Sequence, residues 1–168
     1  DGETWTPRNV LLECLDLGFS YYQCPYRMEH GRGTIILDDE GRLKADVSAL
    51  SNDRPIRIIG SIENVLGESH GWIQARATEL PINEKMLNAL PSKARRSVQM
   101  LAPRGDVASM GNVAVEVILS SDQPGEPFEL WARVDLLSCM TEYAEFPYPL
   151  HELTGSLVLD QGQWTFSN

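Results

Sequence analysis

Tyr21-Tyr22-Gln23-Cys24-Pro25-Tyr26 returns 122 residues later as Tyr143-Ala144-Glu145-Phe146-Pro147-Tyr148. The same offset, without a gap, lays Gly33 on Gly155, Ile35-Ile36 on Leu157-Val158 and Leu37-Asp38 on Leu159-Asp160. Six of the 18 positions from 21 to 38 are identical, which makes duplication the simplest reading. Upstream, Leu12, Cys14 and Leu15 fall on Val134, Leu136 and Leu137, so the apolar pattern repeats where identity stops. The unit reads as a strand, a Tyr-x-x-x-Pro-Tyr crossing segment, a Gly where the backbone turns or approaches closely, and a hairpin. Repeats of this kind bury their apolar faces by stacking on neighbours. Residues 1–121 then form a first unit and residues 122–168 the start of a second, in one continuous folded domain; duplication inside one compact domain is the other reading.

Outward from the repeat, the period of the apolar residues is two. Val10 to Phe19 is Leu-rich on both parities, Val10, Leu12 and Cys14 against Leu11, Leu15 and Leu17, which predicts a strand covered at least partly on both faces. Pro25 removes a ladder donor and predicts a crossing or edge segment. Thr34 to Leu37 and Arg42 to about Val47 flank the turn Asp38-Asp39-Glu40-Gly41, a hairpin pattern. Pro55 to Ile62 and Trp72 to Leu80 form another, with Ile73, Ala75 and Ala77 opposing Gln74, Arg76 and Thr78. Val113, Val115, Val117 and Leu119 share one parity, and Phe128, Leu130, Ala132, Val134 and Leu136 oppose Glu129, Arg133 and Asp135 across the polar turn Ser120 to Pro127.

Between these strands the period changes to about 3.6. Asn83 is a candidate N-cap, Met86, Leu87 and Leu90 share a helical face, Ser92 caps a second turn carrying Ala94, Val98 and Leu101, and Pro103 stops it. The expected fold is therefore α+β: a mostly antiparallel, strand-rich repeat module, a curved open sheet, with a short broken helical insert at about 82–102.

Composition narrows the function classes. The chain of 168 residues is 42% hydrophobic and 23% charged, which is a globular composition. Its net charge of −10 argues against nucleic acid as a partner. No run approaches the ~18 apolar residues that would span a bilayer. Cys14, Cys24 and Cys139 show no C-x-x-C spacing and leave the redox compartment open. A first residue that is Asp1 and a last stretch that reads as a strand point to a piece of a longer polypeptide.

Phe146-Pro147-Tyr148-Pro149-Leu150-His151-Glu152-Leu153-Thr154-Gly155-Ser156-Leu157, followed by Asp160-Gln161-Gly162-Gln163-Trp164-Thr165-Phe166, resembles the recurring unit of the AsmA-like superfamily, with its TamB and YhdP types. Cys24 to Ile35 is similar, and Glu79 to Leu90 resembles the stretch that introduces the helical insert of those proteins. The matches cover about half the chain and are patterns of apolar, Gly and Pro positions with no catalytic signature. The resemblance implies a non-enzymatic module of a bacterial envelope protein, periplasmic, with a membrane anchor elsewhere in its parent chain. It also implies a role in lipid transport or outer-membrane maintenance through a long open groove. A lipid groove needs a continuous uncovered apolar face, for which Val113, Val115 and Val117 are the candidate lipid- or partner-binding residues. Expected partners are lipid acyl chains and neighbouring repeats, with an edge-mediated homodimer of the piece alone. The alternative is a periplasmic or surface scaffolding module that recognises protein or glycan.

The residues of conventional chemistry are sparse, and no catalytic, metal or cofactor site is expected. Gly67-Glu68-Ser69-His70-Gly71 matches G-x-S-x-G, but a strand follows at Trp72 where a nucleophile elbow needs a helix. His30, His70 and His151 show no ligand spacing, and Asp38-Asp39-Glu40-Gly41 lacks the alternation of a calcium loop. Lys93, Arg95, Arg96 and Arg104 form a basic spot that either meets anionic head groups or is a solvated helix face. The recurrence of Tyr21, Tyr26, Tyr143 and Tyr148 at the repeat offset speaks for packing between strands over a sugar platform.

Overall fold

The computed structural model describes residues 9–21, 24–90, 92–143 and 145–167. Tyr22, Gln23, Pro91 and Ala144 of the repeat and insert lie outside the described residues, as do the side chains of Tyr21, Cys24, Pro25, Lys93, Phe146 and Pro147. Among the described residues the chain forms nine strands: β1 (Val10–Tyr21), β2 (Cys24–Leu37), β3 (Leu43–Ser51), β4 (Arg54–Glu63), β5 (His70–Pro81), β6 (Asn112–Ser121), β7 (Glu129–Tyr143), β8 (Phe146–Asp160) and β9 (Gln163–Ser167). Each pairs antiparallel with its neighbours in chain order, and β1 and β9 are left as open edges of one sheet. The architecture is thus a strand-rich antiparallel open sheet. The helices α1 (Glu84–Ala89) and α2 (Ser92–Met100) belong to a single insert between β5 and β6, so helix forms no layer of its own.

The meander has two unlike ends. The β2–β3, β4–β5, β6–β7 and β8–β9 turns share one end, and the other end carries the insert beside the β1–β2, β3–β4 and β7–β8 tips. Turn chemistry closes the first set: Asp38 Oδ1 accepts from the backbone N–H of Glu40 at 3.1 Å and of Arg42 at 2.9 Å. Gln161 and Gly162 both have positive φ, 46° and 75°, the geometry a two-residue primed turn demands.

The hairpin β7–β8 repeats β1–β2 in register. Cys14 pairs with Gly33, Leu17 with Gly31, Phe19 with Met28 and Tyr21 with Cys24. Leu136, Cys139, Thr141 and Tyr143 pair with Gly155, Leu153, Leu150 and Phe146, the same positions 122 residues on, with the three register shifts between them reproduced. Two left-handed positions coincide as well, His30 with Glu152 and Gly33 with Gly155. At Gly33, with φ +143°, a Cβ would sit 2.0 Å from the Asp46 carbonyl oxygen, so the glycine is required by backbone approach as well as by conformation.

One expectation narrows and another changes. The Tyr-x-x-x-Pro-Tyr segments are edge segments, as one of the two readings had it, and not crossings: Tyr21 pairs with Cys24 and Tyr143 with Phe146, and the strands that follow have no second partner there among the described residues. Pro25 is tolerated because the β2–β3 ladder starts only at Glu29, leaving that part of β2 with a free side. Nor is β1 covered on both faces. As an edge strand it leaves Leu11, Leu12 and Leu15 at 64%, 55% and 71% exposure.

The outer face of the sheet sets cross-strand polar pairs, Arg57 with Asp46 at 3.1 Å, Arg76 with Glu116 at 2.7 Å and Arg133 with Ser156 at 3.1 Å, among apolar residues such as Ile59, Trp72, Ile118 and Trp131. Such exposed pairs add little energy each, but a one-residue slip would turn them all inward, so they hold the register. Hydrogen bonds from Ser156 and then Arg133 hold the Asp135 carboxyl below its ordinary pKa. The charged carboxylate therefore contributes stability above its unfolded-state pKa and loses it as the pH falls through the folded value. Ser156→Ala is expected to raise the Asp135 pKa back toward the carboxylate norm, as read by carboxyl NMR titration below about pH 5.

Candidate functional site

The inner face is built by alternation along the nine strands. Register carries one row of side chains across the whole sheet, from Cys14 through Gly33, Val47, Ile58 and Ala75 to Val117, Ala132, Leu159 and Trp164. The rows on either side are of the same kind: Ala49, Ile56, Ala77, Val115, Val134, Leu157 and Phe166 toward the insert, and Ile35, Ala45, Gly60, Ile73, Leu119 and Leu130 toward the turns. None of these positions carries a charge.

The insert covers one end of this face. Asn83 caps α1, its Oδ1 accepting from the Met86 N–H at 3.0 Å. Leu87, fully buried, then drops into a core with Ile56, Ala77, Leu80 and Val113. Of the two single-turn 3₁₀ segments that follow, Pro103–Gly105 and Val107–Met110, the second adds Val107 and Met110 to the same core. The insert bridges the sheet, with α1 on β2 and the 3₁₀ turns on β7. Its two ends are clasped by the Ile82 N–H donating to the Gly111 carbonyl at 2.9 Å. Its last helical stretch is tied to β7 where Thr141 Oγ1 donates to the Leu101 carbonyl at 2.6 Å.

The expected site residues fall on both sides of the insert's edge. Val113 is buried beneath it and serves the core, Val115 packs against that core from the boundary, and Val117 lies half-buried beyond it. Toward the turns no second layer covers the face among the described residues: Ile73, Val117, Leu119, Leu157 and Leu159 are half-buried, Val47 and Ile62 are buried within the sheet's own packing, and Leu130 is 46% exposed. A shallow hollow of about 480 Å³ beside Leu130 and Leu159 marks this end.

The other candidates have structural partners. Arg95 donates from Nε to the Leu87 carbonyl at 2.9 Å and from Nη2 to the Asn88 carbonyl at 3.0 Å, so it caps the C-terminus of α1. That removes it from the basic spot; Arg95→Ala should lower stability by about 1.5 kcal/mol in chemical denaturation, the scale for charged hydrogen bonds. Ser69 lies in the β4–β5 hairpin loop and not at a strand-to-helix elbow. His30 Nδ1 meets Asp16 at 2.8 Å on the surface, His151 is exposed, and among the described residues no three potential ligands converge on a metal-sized site. Burial pushes the Cys139 thiol up, and its Sγ lies 3.2 Å from the Asn112 carbonyl oxygen.

No family model, curated protein or solved structure matches the chain.

Proposed function

We propose that the chain is a strand-rich α+β repeat module of an AsmA-like envelope protein, non-catalytic, that contacts lipid acyl chains along its inner face in lipid transport or envelope maintenance. The observation that carries this reading is the uncharged row from Cys14 to Trp164, whose half-buried members beyond the insert, Ala75, Val117 and Leu159, have no covering layer among the described residues. Apolar surface left open on this scale favours an apolar occupant at roughly 25 cal/mol per Å² buried. In this reading the insert ends the trough at one side, and the periplasm is the compartment where such a face would meet lipid. Native mass spectrometry with lipid extraction, on chain expressed in a bacterial host, tests it: co-purifying phospholipid is expected, and a lipid-free mass that stays lipid-free after incubation with phospholipid would sink it.

The edges favour a second, compatible role in assembly. Leu11 and Leu15 on β1 and Trp164 and Phe166 on β9 are exposed beside unpaired backbone, the pattern that recruits a further strand. Neighbouring repeats would pair there, and a second copy would take their place in the isolated chain.

A further inference from the structure

The uncovered end of the inner face has a rim of predominantly one sign. The four turns at that end and the strand ends beside them carry nine carboxylates against two cations, Arg42 and Lys44, among the described residues. Arg42 is already engaged, with Glu63 at 2.7 Å, Glu40 at 3.2 Å and Asp38 at 3.8 Å. Asp39, Glu68, Asp122, Glu126, Glu129 and Asp160 are exposed and have no basic partner among the described residues. They are spread over the turns and do not gather at a point, so they make a field and not a chelating site.

Resting on the acyl-chain reading above, the geometry points to a charge-selective mouth: the trough takes one acyl tail whose headgroup ends in an ammonium and disfavours an anionic one. Three observations fix this choice. The insert packs down on Ile56, Leu80, Val113 and Cys139, so a tail enters from the turn end and leaves its headgroup there. From Ala75, the first inner-face residue of β5 beyond the insert's core, to Gly71, β5 offers about 13 Å of inner face at ~3.3 Å per residue, close to the ~15 Å of one leaflet of a ~30 Å hydrocarbon core. The headgroup then lies among the unpaired carboxylates, whose field reaches ~8 Å at physiological salt.

The test titrates the purified chain, below micelle formation, with lysophosphatidylethanolamine and lysophosphatidylglycerol of equal tail length. These share the phosphate and tail and differ in a terminal ammonium against a neutral glycerol. The expected result is binding about fivefold tighter for the ethanolamine lipid at low salt, converging as salt rises to about 0.5 M. In the variant E68Q/E126Q/E129Q, which changes exposed side chains alone, the preference should disappear while both lipids still bind. Equal affinities in the unmodified chain would overturn the selective mouth and leave the acyl-chain reading standing. Binding of neither lipid would overturn both.

Discussion

Replacing Leu87 by Ala is expected to cost about 3 kcal/mol in urea unfolding, from the lost burial and the cavity left behind. Leu87 is fully buried at the point where α1 meets the sheet, with Ile56, Ala77, Leu80 and Val113 around it. Leu87 is the fully buried side chain of α1, which is six residues long, far below the length at which a helix is stable alone. Weakening this contact should therefore loosen the whole insert. Amide exchange in α1, α2 and the ends of β2 and β7 is expected to speed up together, while the β3–β4 ladder keeps its protection. Uniform acceleration would mean that the insert and the sheet are one cooperative unit.

The second large effect is functional. Val117→Asp is expected to leave the chain folded and to reduce phospholipid retained through purification by at least about tenfold. Val117 sits in the row that crosses all nine strands, half-buried, beyond the insert's reach. A carboxylate there stays hydrated in the free chain, but acyl occupation would force its desolvation, at several kcal/mol. The paired control is Glu116→Gln, one residue along and on the opposite face, which should leave lipid retention unchanged. Equal lipid in the Val117→Asp and Glu116→Gln variants would contradict an occupied inner face.

Much of this arrangement was legible in the sequence because a strand with one wet face advertises its period. Ile73, Ala75 and Ala77, Val113 to Leu119, and Leu130 to Leu136 all stand on the face their alternation indicated. The offset of 122 was legible too, and the structure gives it content, since the bulges between Cys14 and Tyr21 recur between Leu136 and Tyr143. What alternation hides is the connection at a strand's end. Pro25 and Pro147 suggested interruption, yet the chain reverses within a residue or two of each and continues as a paired strand. Asn52 and Asp53, both left-handed, make the tight β3–β4 turn, and the Asn-Asp pair was its available signal. Val107 and Met110 join the core through a single 3₁₀ turn, too short to show a period. Arg95 looked like part of a solvated basic face because its acceptors are backbone carbonyls, which no side-chain pattern displays.

The central claim, an acyl chain on the uncovered inner face, is tested most directly by photocrosslinking. A phospholipid with a diazirine midway along its acyl tail, equilibrated with the chain, illuminated and mapped by peptide mass spectrometry, reports which face the tail touches. The account predicts adducts at Ile73, Val117, Leu119 and Leu157, suppressed by excess unlabelled phospholipid. Adducts confined to outer-face residues such as Trp72 or Ile118, or distributed without competition, would contradict it.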